Sequence, residues 1–584
     1  MSEVNDVDEV RHSLSHLMAQ VVKEIWPGSL NTIGPVIENG FYTDFELNGK
    51  ISEDDLPKIE DAMRAKLKDW THFEKREVSL EEAQQIFRDN KYKIELAQEF
   101  AAEGKGLTVY TCGGFDDLCK GGHSDGLSNI DPESFKLTRT AGAYWRGDEK
   151  NIMLTRIYGV AFTTKNELEE YLVKQELAKE RDHRKLGREM DLFFMTPDVG
   201  AGLPLMMPRG EMIKNLLMRY MRQEEEKRGY QYVSTPILTQ EKLYQRSGHA
   251  DYYLDDMYAT ETDDEGNKFF IKPMNCPHHH MIFEKIVQSY RDLPLRLSEH
   301  AGLYRFELSG TLAGLIRMRG PITQNDSHTY VTAGQLKAEL KSLVDFFVET
   351  YSLFGMDEYW FRLSLPDFSK NKFGGEKKSW LDAADSIRYV LDESGVDYVE
   401  VEGEAAFYGP KLDIQTRNVN GKEDSIATVQ IDILVPGKMG LVYIDEDGNK
   451  QTPLVIHKNI LAAFERFMAF LLEKTGGDLP FWLAPEQVRI LTINDSVAYY
   501  VEEITSVLED TLLIKPLKYN EVRFSVDNRN ESLGKKIKEA TELRIPVQLI
   551  VGPKDAGSRV VSVRTKDGES KMKIEELKDF LLGQ

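Results

Sequence analysis

The chain has 584 residues, enough for three or four domains of about 150 residues each. Charged residues make up 29% and hydrophobic residues 41%, which excludes a disordered or fibrous chain, and the lack of any run of 18 apolar residues excludes a membrane-spanning helix. Its three cysteines (Cys112, Cys119 and Cys276) exclude a disulfide framework, and with an acidic start that does not match a signal peptide they predict a reducing location, the cytoplasm.

The first two regions differ in their patterns. Residues 1–160 alternate short helical stretches, such as EDDLPKIEDAMRAKLKDW, with short extended ones, such as NIMLTRIYGVAF, which predicts an α+β domain. Residues 161–190 place opposite charges four residues apart and contain no Gly or Pro before Gly187. This pattern predicts one exposed connecting helix.

Two further regions follow. Residues 191–483 combine helices with short strands bounded by Gly, Asp and Asn turns, which favours an antiparallel sheet. Residues 484–584 alternate strands and helices, from VRILTIN to IEELKDFLL, and predict a compact α/β domain. The net charge of the chain is −23, but residues 515–584 hold 15 basic against 11 acidic side chains. A locally basic end of this kind can bind nucleic acid.

Two pairs of chemically active side chains lie in the first region. His12 and His16 are four residues apart in RHSLSHLMAQ, so both imidazoles project from one face of a helix. Cys119 and His123 lie in DLCKGGH, where two glycines predict a loop. The residues alone leave three interpretations open: a tetrahedral zinc site, a metal-free pocket that holds a water and an ester, and ordinary buried side chains.

A second cluster is spread over the third region. Cys276 in KPMNCPHHH, His328 in TQNDSHTY and His457 in TPLVIHKNI would give a three-ligand zinc site with an open position, as in catalytic zinc sites. One buried cysteine with two hydrogen-bonded histidines is the alternative. Spacing does not choose the ligands, because four other histidines compete for the role: His278, His279, His280 and His300.

Several arginines lie near predicted turns of the same region. Arg305 and Glu307 occur in YRFELSG, Arg317 follows in IRMRG, and Arg466 lies in FERFMAF. No GxxxxGK[ST] stretch is present, so a P-loop is excluded. An enzyme that binds a triphosphate without that loop needs the planar fork of arginine.

The motifs occur in a fixed order along the chain. They include RHSLSHLMAQ, DLCKGGH, SGHADYYLDDMY, KPMNCPHH, YRFELSG, FYGPKLD, TVQIDI and IHKNILAAFERF. In order and wording they resemble the threonyl-tRNA synthetases, a family of class II aminoacyl-tRNA synthetases, over nearly the whole chain. The likeness to threonyl rather than prolyl, seryl or histidyl enzymes rests on KPMNCPHH together with the HxxxH and CxxxH stretches.

The resemblance implies an α+β multidomain fold. It divides the chain into an editing domain (1–160), a linker helix (161–190), a class II catalytic domain built on an antiparallel sheet (191–483) and an α/β anticodon-binding domain (484–584). It implies activation of L-threonine with ATP, transfer to the 3′ end of threonine tRNA, and hydrolytic editing of seryl-tRNA. The expected assembly is a homodimer with Pro236 at its interface, and no membrane is involved.

The resemblance also assigns roles position by position. Cys276, His328 and His457 would hold one zinc ion per chain, and Mg²⁺ would accompany ATP. Arg305 and Arg466 would clamp the ATP phosphates, and Asp326 would accept the ammonium group of threonine. Further catalytic roles fall on His249, implicated in transfer to tRNA, and Lys411. The remaining substrate and ATP contacts would be Glu307, near the adenine, Arg317, Gln324, Tyr408 and Gln430. Editing would use His12, His16, Lys93, Asp117, Cys119 and His123, and the anticodon would meet Arg529 and Glu531.

Selectivity explains why two sites would be needed. Valine and threonine are nearly isosteric, and an apolar pocket separates such pairs by only ~10²-fold. A zinc ion that takes the amino and hydroxyl groups would reject valine. Serine keeps the hydroxyl and lacks one methyl, worth ~1–3 kcal/mol, so a second, hydrolytic site must remove it. In this family that site works without metal, so zinc is expected only at the second cluster.

Two departures from the family pattern stand out. Gly122 replaces the proline of the CxGPH pattern, which is expected to loosen the editing loop, and the resemblance leads us to expect no counterpart of the family's small N-terminal domain before His12. Two other functions are alternatives to the enzyme. A catalytically inactive, RNA-binding paralogue is the main alternative, and a zinc hydrolase lacks support because no HExxH stretch occurs.

Overall fold

The computed structural model describes residues 3–369, 373–513, 515–518 and 520–584. Contacts divide the chain into one unit up to Glu176 and a second from Leu177. The predicted limits of the four domains stay a prediction. In the described residues no helix has both the length and the apolar character needed to cross a bilayer.

The first unit is a mixed α/β arrangement with two antiparallel sheets. Its helices are α1 (Glu3–Ile25), α2 (Leu56–Lys66), α3 (Leu80–Ile86) and α4 (Lys91–Ala102). Its strands are β1 (Leu30–Asn31), β2 (Val36–Ile37), β3 (Gly40–Glu46), β4 (Glu74–Val78), β5 (Leu107–Cys112), β6 (Phe115–Leu118), β7 (Phe135–Tyr144) and β8 (Met153–Ala161). One sheet has the order β1-β3-β8-β7, with β2 also pairing β3, and the other has the order β4-β5-β6.

Helix α1 forms the centre of the first unit. Its buried face includes Leu14, Leu17 and Val21, which pack against Phe41 and other apolar side chains of the larger sheet. These residues recur at the three- and four-residue spacing of one helix face. His12 and His16 lie on the same helix, so a rigid core element positions both imidazoles.

The prediction of one connecting helix is wrong. Two helices, α5 (Lys165–Glu180) and α6 (His183–Glu189), occupy this stretch. The side chain of Asp182 accepts a hydrogen bond from the Arg184 amide and so caps α6. The charge pattern indicated helix correctly but did not reveal the break, because an aspartate cap looks like any other acidic residue in a charged run.

The second unit begins with a large region of helices and strands. Its helices are α7 (Pro208–Lys227), α8 (Glu241–Ser247), α9 (Ala250–Tyr253), α10 (Cys276–Ile286), α11 (Leu336–Leu353), α12 (Lys377–Ser394), α13 (Val435–Met439) and α14 (Phe464–Thr475). Its strands are β9 (Phe193–Phe194), β10 (Leu205–Met206), β11 (Gln231–Tyr232), β12 (Leu238–Gln240), β13 (Phe269–Ile271), β14 (Leu295–Leu303), β15 (Ile322–Val331), β16 (Tyr359–Leu365), β17 (Tyr398–Glu402), β18 (Lys411–Arg417), β19 (Glu423–Asp432), β20 (Tyr443–Ile444), β21 (Lys450–Gln451) and β22 (Leu454–Asn459).

An eight-stranded sheet organises this region, in the order β11-β14-β15-β22-β19-β18-β16-β17. The six central strands pair antiparallel, as the short strands and turns predicted, and only the two edge pairs β11–β14 and β16–β17 are parallel. Helices α7, α11 and α14 cover one side with a continuous apolar core that includes Leu217, Phe347 and Phe467. The opposite side packs a smaller apolar cluster that includes Phe283 of α10 and Leu297, and it also presents polar side chains.

The C-terminal part of the second unit is an α/β sandwich of one sheet with helices. Its strands are β23 (Val488–Thr492), β24 (Leu512–Leu513), β25 (Asn520–Glu521), β26 (Phe524–Asp527), β27 (Val547–Val551), β28 (Val560–Thr565) and β29 (Gly568–Lys573), and its helices are α15 (Ala498–Glu509), α16 (Leu533–Glu542), α17 (Pro553–Ser558) and α18 (Leu577–Leu582). The main sheet has the order β26-β23-β27-β28-β29. Sequence reasoning missed β29, because this edge strand is polar and almost wholly exposed and so lacks apolar alternation.

Candidate functional site

Strand register gathers the polar residues of the large sheet. Side chains alternate along a strand, so Gln324, Asp326 and His328 of β15 share one face. His457 of β22 lies directly opposite His328. Gln430 of β19 lies opposite His457 on the other side, and Lys411 of β18 lies opposite Gln430. Residues from four strands thus meet on the face away from the apolar core.

Cys276, His328 and His457 converge on one point. Each offers a ligand atom, these atoms lie within 4.8 Å of one another, and all three residues are buried. Cys276 begins α10, while the two histidines are cross-strand neighbours with ring centroids 4.5 Å apart. One sulfur and two imidazole nitrogens are the donor types that zinc prefers.

Hydrogen bonds orient both histidines. His457 Nε2 lies 3.1 Å from Asp432 Oδ2, which leaves Nδ1 for another partner. His328 Nδ1 lies 2.8 Å from His279 Nδ1, while His328 Nε2 has no hydrogen-bond partner among the described residues. Partners of this kind, bound through the non-ligating nitrogen, are typical of metal-binding histidines. The unpartnered Nε2 and the donor set fit a zinc ion.

A cavity of about 390 Å³ opens beside this cluster. Its walls include nine of the residues predicted for zinc, threonine and ATP: Cys276, Arg305, Glu307, Arg317, Gln324, Asp326, Tyr408, Gln430 and His457. Tyr408 donates a hydrogen bond to Gln430 Oε1 and stacks on the His457 ring at 5.0 Å. Burial raises the pKa of Asp326, which accepts a hydrogen bond from the Asn275 amide at 3.0 Å.

A second cavity of about 360 Å³ adjoins the first and shares Arg305, Glu307, Arg317 and Gln324 with it. It also contains Arg466, whose Nε has no hydrogen-bond partner in the described chain and whose closest acidic contact is Asp424 at 3.3 Å. Burial lowers the pKa of Arg466. A desolvated guanidinium with an unused N–H is well placed for an anionic ligand.

Three predicted residues, His249, Lys411 and the proposed ligand His328, are not among those lining the two cavities in the described chain. His249 is buried, its Nδ1 lies 2.9 Å from Ser247 Oγ, and its Nε2 has no partner. Burial lowers its pKa to about 3, so the imidazole is neutral. Lys411 forms an ion pair of 2.9 Å with Asp413.

The first cluster also assembles as the spacing suggested. Cys119 Sγ lies 3.3 Å from His12 Nε2 and 3.6 Å from His123 Nε2, and the two helix histidines are 3.2 Å apart at Nε2. His12 Nδ1 lies 3.0 Å from the Gly122 carbonyl. The ring of His123 is stacked between those of Phe73 and His12, at 4.3 and 4.5 Å. The predicted loop is present, since residues 119–123 contain no helix or strand.

Buried charges stabilise this cluster. Asp117 lies 3.0 Å from His16 Nδ1 and 2.5 Å from Lys93 Nζ. Burial opposes the charge on His16, but hydrogen bonds to Asp117 and Cys119 outweigh it and raise the pKa of His16 to about 9. Burial likewise opposes the thiolate, but hydrogen bonds to His12, His123 and His16 lower the pKa of Cys119 to about 3. Lys93 and His16 hold the pKa of Asp117 well below its ordinary value.

The two predicted anticodon residues lie in the loop between β26 and α16. Arg529 forms ion pairs with Asp527 at 2.6 Å and Glu539 at 2.5 Å, and Glu531 pairs with Lys535 at 2.7 Å. Both side chains stay substantially exposed. Their role in reading tRNA stays a prediction.

Sequence reasoning missed several residues of the main site. Lys458 and Thr428 line the larger cavity, and Lys458 also forms a buried ion pair with Glu225. Lys458 follows His457 directly, and Thr428 lies two residues before Gln430 on the same strand face. Strand alternation from Gln430 was the available signal for Thr428, whereas it places Lys458 on the opposite strand face from His457 and so gave no signal for that residue. His279 and Asp432, which bond to the two histidine ligands, gave no such signal.

Three family models match separate parts of the chain. The model described as tRNA synthetase class II core domain (G, H, P, S and T) covers residues 258–475, and the anticodon binding domain model covers residues 487–584. The model of the threonyl and alanyl tRNA synthetase second additional domain covers residues 107–158, which include Asp117, Cys119 and His123.

Full-length relatives and solved structures agree with these models. The chain is 43% identical over 583 residues to a threonine–tRNA ligase of Geobacillus sp. (strain WCH70), which spans 98% of this chain and 88% of that protein. The threonine–tRNA ligase of Staphylococcus carnosus (strain TM300) is also 43% identical, over 97% of this chain and 87% of that protein. Among solved structures, the RNA binding domain of threonyl-tRNA synthetase from Cryptosporidium parvum Iowa II is 31% identical, with a TM-score of 0.62 over 69% of this chain and 98% of that one. A prolyl-tRNA synthetase of the same organism shares the fold, at 17% identity and a TM-score of 0.54 over 69% of this chain and 75% of that one.

Proposed function

The chain belongs to the threonine–tRNA ligase family, and we propose that its two histidine–cysteine clusters divide that enzyme's work between synthesis and proofreading. The second cluster and its cavities join L-threonine to the 3′ end of threonine tRNA with ATP. The first cluster hydrolyses seryl-tRNA. The observation that supports the division best is the convergence of Cys276, His328 and His457 at one point, beside a cavity that Cys276 and His457 line together with Arg305.

Threonine selection is assigned to the inner end of the larger cavity. A zinc ion held by Cys276, His328 and His457 would supply an electrophilic centre that favours an amino alcohol over the isosteric valine. Asp326 lies on the same strand face as His328 and accepts the substrate ammonium, because a buried carboxylate needs a cationic partner. Tyr408 and Gln430 form the adjacent wall of the cavity.

ATP binding is assigned to the outer part of the two cavities. Arg305 lines both cavities and Arg466 lines the smaller one, so the two guanidiniums suit the phosphates of ATP, which arrives as its Mg²⁺ complex. As the threonine carboxylate attacks the α-phosphorus, fixed positive groups stabilise the negative charge that develops on the phosphate oxygens. Glu307, Arg317 and Gln324 complete the nucleotide contacts.

Transfer to tRNA is assigned to His249, with Lys411 in a supporting role. His249 is neutral because burial lowers its pKa, and its Nε2 is without a hydrogen-bond partner in the described chain. A neutral imidazole nitrogen is the group needed to accept a proton from the ribose hydroxyl. Lys411 lies opposite Gln430 and beside Asp413.

Hydrolysis of seryl-tRNA is assigned to the first cluster. The imidazolium of His16, supported by Asp117 and Lys93, offers a fixed positive charge to the oxyanion that forms on the ester carbonyl. Burial lowers the pKa of His123, so this ring is neutral and suited to accept a proton from the attacking water. Cys119 contacts both His12 and His123, and His12 contacts His16. These contacts hold the neutral ring of His123 and the charged ring of His16 in place.

A homodimer and an anticodon-reading C-terminal module complete the proposal. Pro236 precedes Ile237 and Leu238, two apolar side chains that are about half exposed in the isolated chain, and such residues suit a subunit interface. Arg529 and Glu531 lie in the region matched by the anticodon binding model. Light scattering of the purified protein checks the dimer.

Pyrophosphate exchange into ATP tests the synthetic half of the proposal. Each of the twenty amino acids is offered to zinc-loaded protein, and bound zinc is counted per chain. We expect exchange with threonine, weak exchange with serine, little with valine, and one zinc ion per chain. Protein that holds zinc but shows no threonine-dependent exchange contradicts the assigned function.

A further inference from the structure

Three adjacent histidines follow Cys276 and Pro277 near the start of α10, and each has a different partner. His278 Nε2 lies 2.6 Å from Thr239 Oγ1, and His280 Nδ1 lies 2.9 Å from Tyr330 Oη. His279 bonds to His328, a proposed zinc ligand. Successive side chains on a helix point about 100° apart, so a run of identical residues faces three surroundings. Of the three, only the middle one bonds to a ligand.

The partners of His279 determine where its proton lies. Its Nε2 is 3.3 Å from Glu299 Oε2, and an ionised carboxylate only accepts hydrogen bonds, so His279 Nε2 carries the hydrogen. A neutral imidazole then presents a lone pair at Nδ1. His328 must therefore donate from its own Nδ1, 2.8 Å away, and keep a lone pair on Nε2.

The ionised state of Glu299 follows from its surroundings. Its Oε1 accepts from the Thr235 amide at 2.8 Å and faces Lys272 Nζ at 3.5 Å, and its Oε2 accepts from Thr235 Oγ1 at 2.8 Å. Four donors including His279 surround one buried carboxylate. Such a group is held in one place and has no proton of its own to give.

Glu299 does not bond to His328 directly, whereas His457, the other histidine ligand, bonds to the carboxylate of Asp432. Glu299 of β14 lies opposite Asp326, and Leu297 lies opposite His328. His279, which enters from α10, spans the remaining gap. His457 by contrast bonds to Asp432 without an intermediate.

We propose that His279 and Glu299 are positioning residues of the metal site, which hold His328 in the tautomer whose Nε2 lone pair faces the metal. The inference rests on the proposed zinc role of Cys276, His328 and His457. It explains why His328 Nε2 is buried and without a hydrogen-bond partner in the described chain, although the same ring makes a short bond through Nδ1.

We call the chain of hydrogen bonds from Glu299 through His279 to His328 the relay. The zinc affinity of the whole chain tests it. A chelator competes for zinc with the wild type and with His279→Phe, which keeps a ring but removes both hydrogen bonds. Loss of such a partner weakens metal binding about 10- to 100-fold. His279→Gln restores one acceptor and one donor and should recover most of the affinity. His280→Phe is the matched control: the same change at the next buried position, expected to alter affinity less than about twofold.

Glu299→Gln provides a second variant that keeps the volume of the side chain. The Thr235 amide and Lys272 both donate toward Oε1, so the new amide keeps its oxygen there and turns its NH₂ toward His279. His279 would then accept at Nε2 and donate at Nδ1, which forces the hydrogen of His328 onto Nε2. We expect zinc affinity to fall at least about tenfold with kcat/KM for threonine falling in parallel.

The outcomes separate the relay from the function on which it rests. Wild-type protein that holds no zinc contradicts the proposed metal site and the relay together. A wild type that holds zinc, with His279→Phe binding it equally well, overturns the relay alone. The relay is also overturned if His279→Gln is as weak as His279→Phe while thermal melting of the metal-free proteins shows the same loss in both, because packing then explains the effect.

Discussion

The two histidine–cysteine clusters use the same donor types in opposite ways. In the first, Cys119, His12 and His16 bond mainly to one another. In the second, His328 and His457 bond outward, to His279 and Asp432, and turn their remaining nitrogens inward. Bonds among the members of the first cluster leave fewer lone pairs for an ion, whereas an inward nitrogen without a partner, such as His328 Nε2, suits one.

Charge distinguishes the two clusters as clearly as hydrogen bonding. The first contains a thiolate and an imidazolium, because the pKa of Cys119 is lowered to about 3 and that of His16 is raised to about 9. In the second, burial raises the pKa of the Cys276 thiol and lowers that of His328. Residue type alone therefore does not distinguish the two clusters, whereas their hydrogen bonds and charges do.

Cys276→Ser gives the largest expected difference between the clusters. A catalytic metal contributes several kcal/mol, so its loss should lower threonine-dependent pyrophosphate exchange about 10³-fold. Deacylation of seryl-tRNA, which uses the other cluster, should not change. Cys112→Ser, at a buried cysteine outside both clusters, is the control. A parallel loss of deacylation would show that the clusters are not separate.

His12→Ala combined with Cys119→Ala gives the reciprocal result. Seryl-tRNA deacylation should fall at least about 10²-fold, the usual contribution of a positioned acid–base group. Exchange with threonine should stay at the wild-type rate, and seryl-tRNA should accumulate in aminoacylation assays. His72→Ala alters an exposed histidine of the same unit and should leave both rates unchanged. Unchanged deacylation in the double variant would remove the editing role.

Lys93→Met tests whether the first cluster depends on its own buried charges. Removal of one partner of a buried ion pair costs about 3–5 kcal/mol, and because His16 and Asn31 still bond to Asp117 we expect the lower end of this range, about 3 kcal/mol. Urea unfolding of the first unit measures this loss. Lys91→Met removes an exposed pair with Glu46 and should cost under about 1 kcal/mol. Equal costs in both variants would contradict the prediction.

The pH dependence of seryl-tRNA deacylation is expected to show the smallest difference between the two clusters. The pKa of His16 is about 9 in the folded protein against an ordinary 6.5. The imidazole is therefore protonated in both the folded and the unfolded protein well below pH 6.5, and the folded protein loses this charge as the pH rises through 9. The stabilisation from His16 disappears over the same interval. Enzymatic deacylation should therefore be flat to about pH 8 and fall about tenfold by pH 10. The rate of spontaneous seryl-tRNA hydrolysis is measured in the presence of the His12 and Cys119 double variant and subtracted. An enzymatic rate that is still rising at pH 10 would contradict the assignment.

Much of the site followed from sequence. The four-residue spacing placed His12 and His16 on one helix face, and the antiparallel character of the large sheet followed from its short strands and turns. The convergence of the two pairs in the first unit also agrees with the structure. For the second cluster, the motif resemblance selected His328 and His457 from seven candidate histidines and cysteines, and the register now shows why they meet.

Other features depend on contacts between distant segments. Nothing local marks Glu299 as a partner of His279, because the two meet only when α10 packs beside β14. Asp182 caps a helix inside a charged run, and β29 pairs at a polar edge, so neither produces an apolar pattern. Periodicity reports which face of an element is buried, and these three features are defined by hydrogen bonds instead.

Helix α1 supplies both the central apolar packing of the first unit and the histidine pair at its surface. Because each unit has its own core, the first can loosen while the second still folds. A protein warmed to that point would continue to consume threonine and ATP at its normal rate. Serine would begin to replace threonine in newly made polypeptides, so mistranslation would appear before protein synthesis slowed.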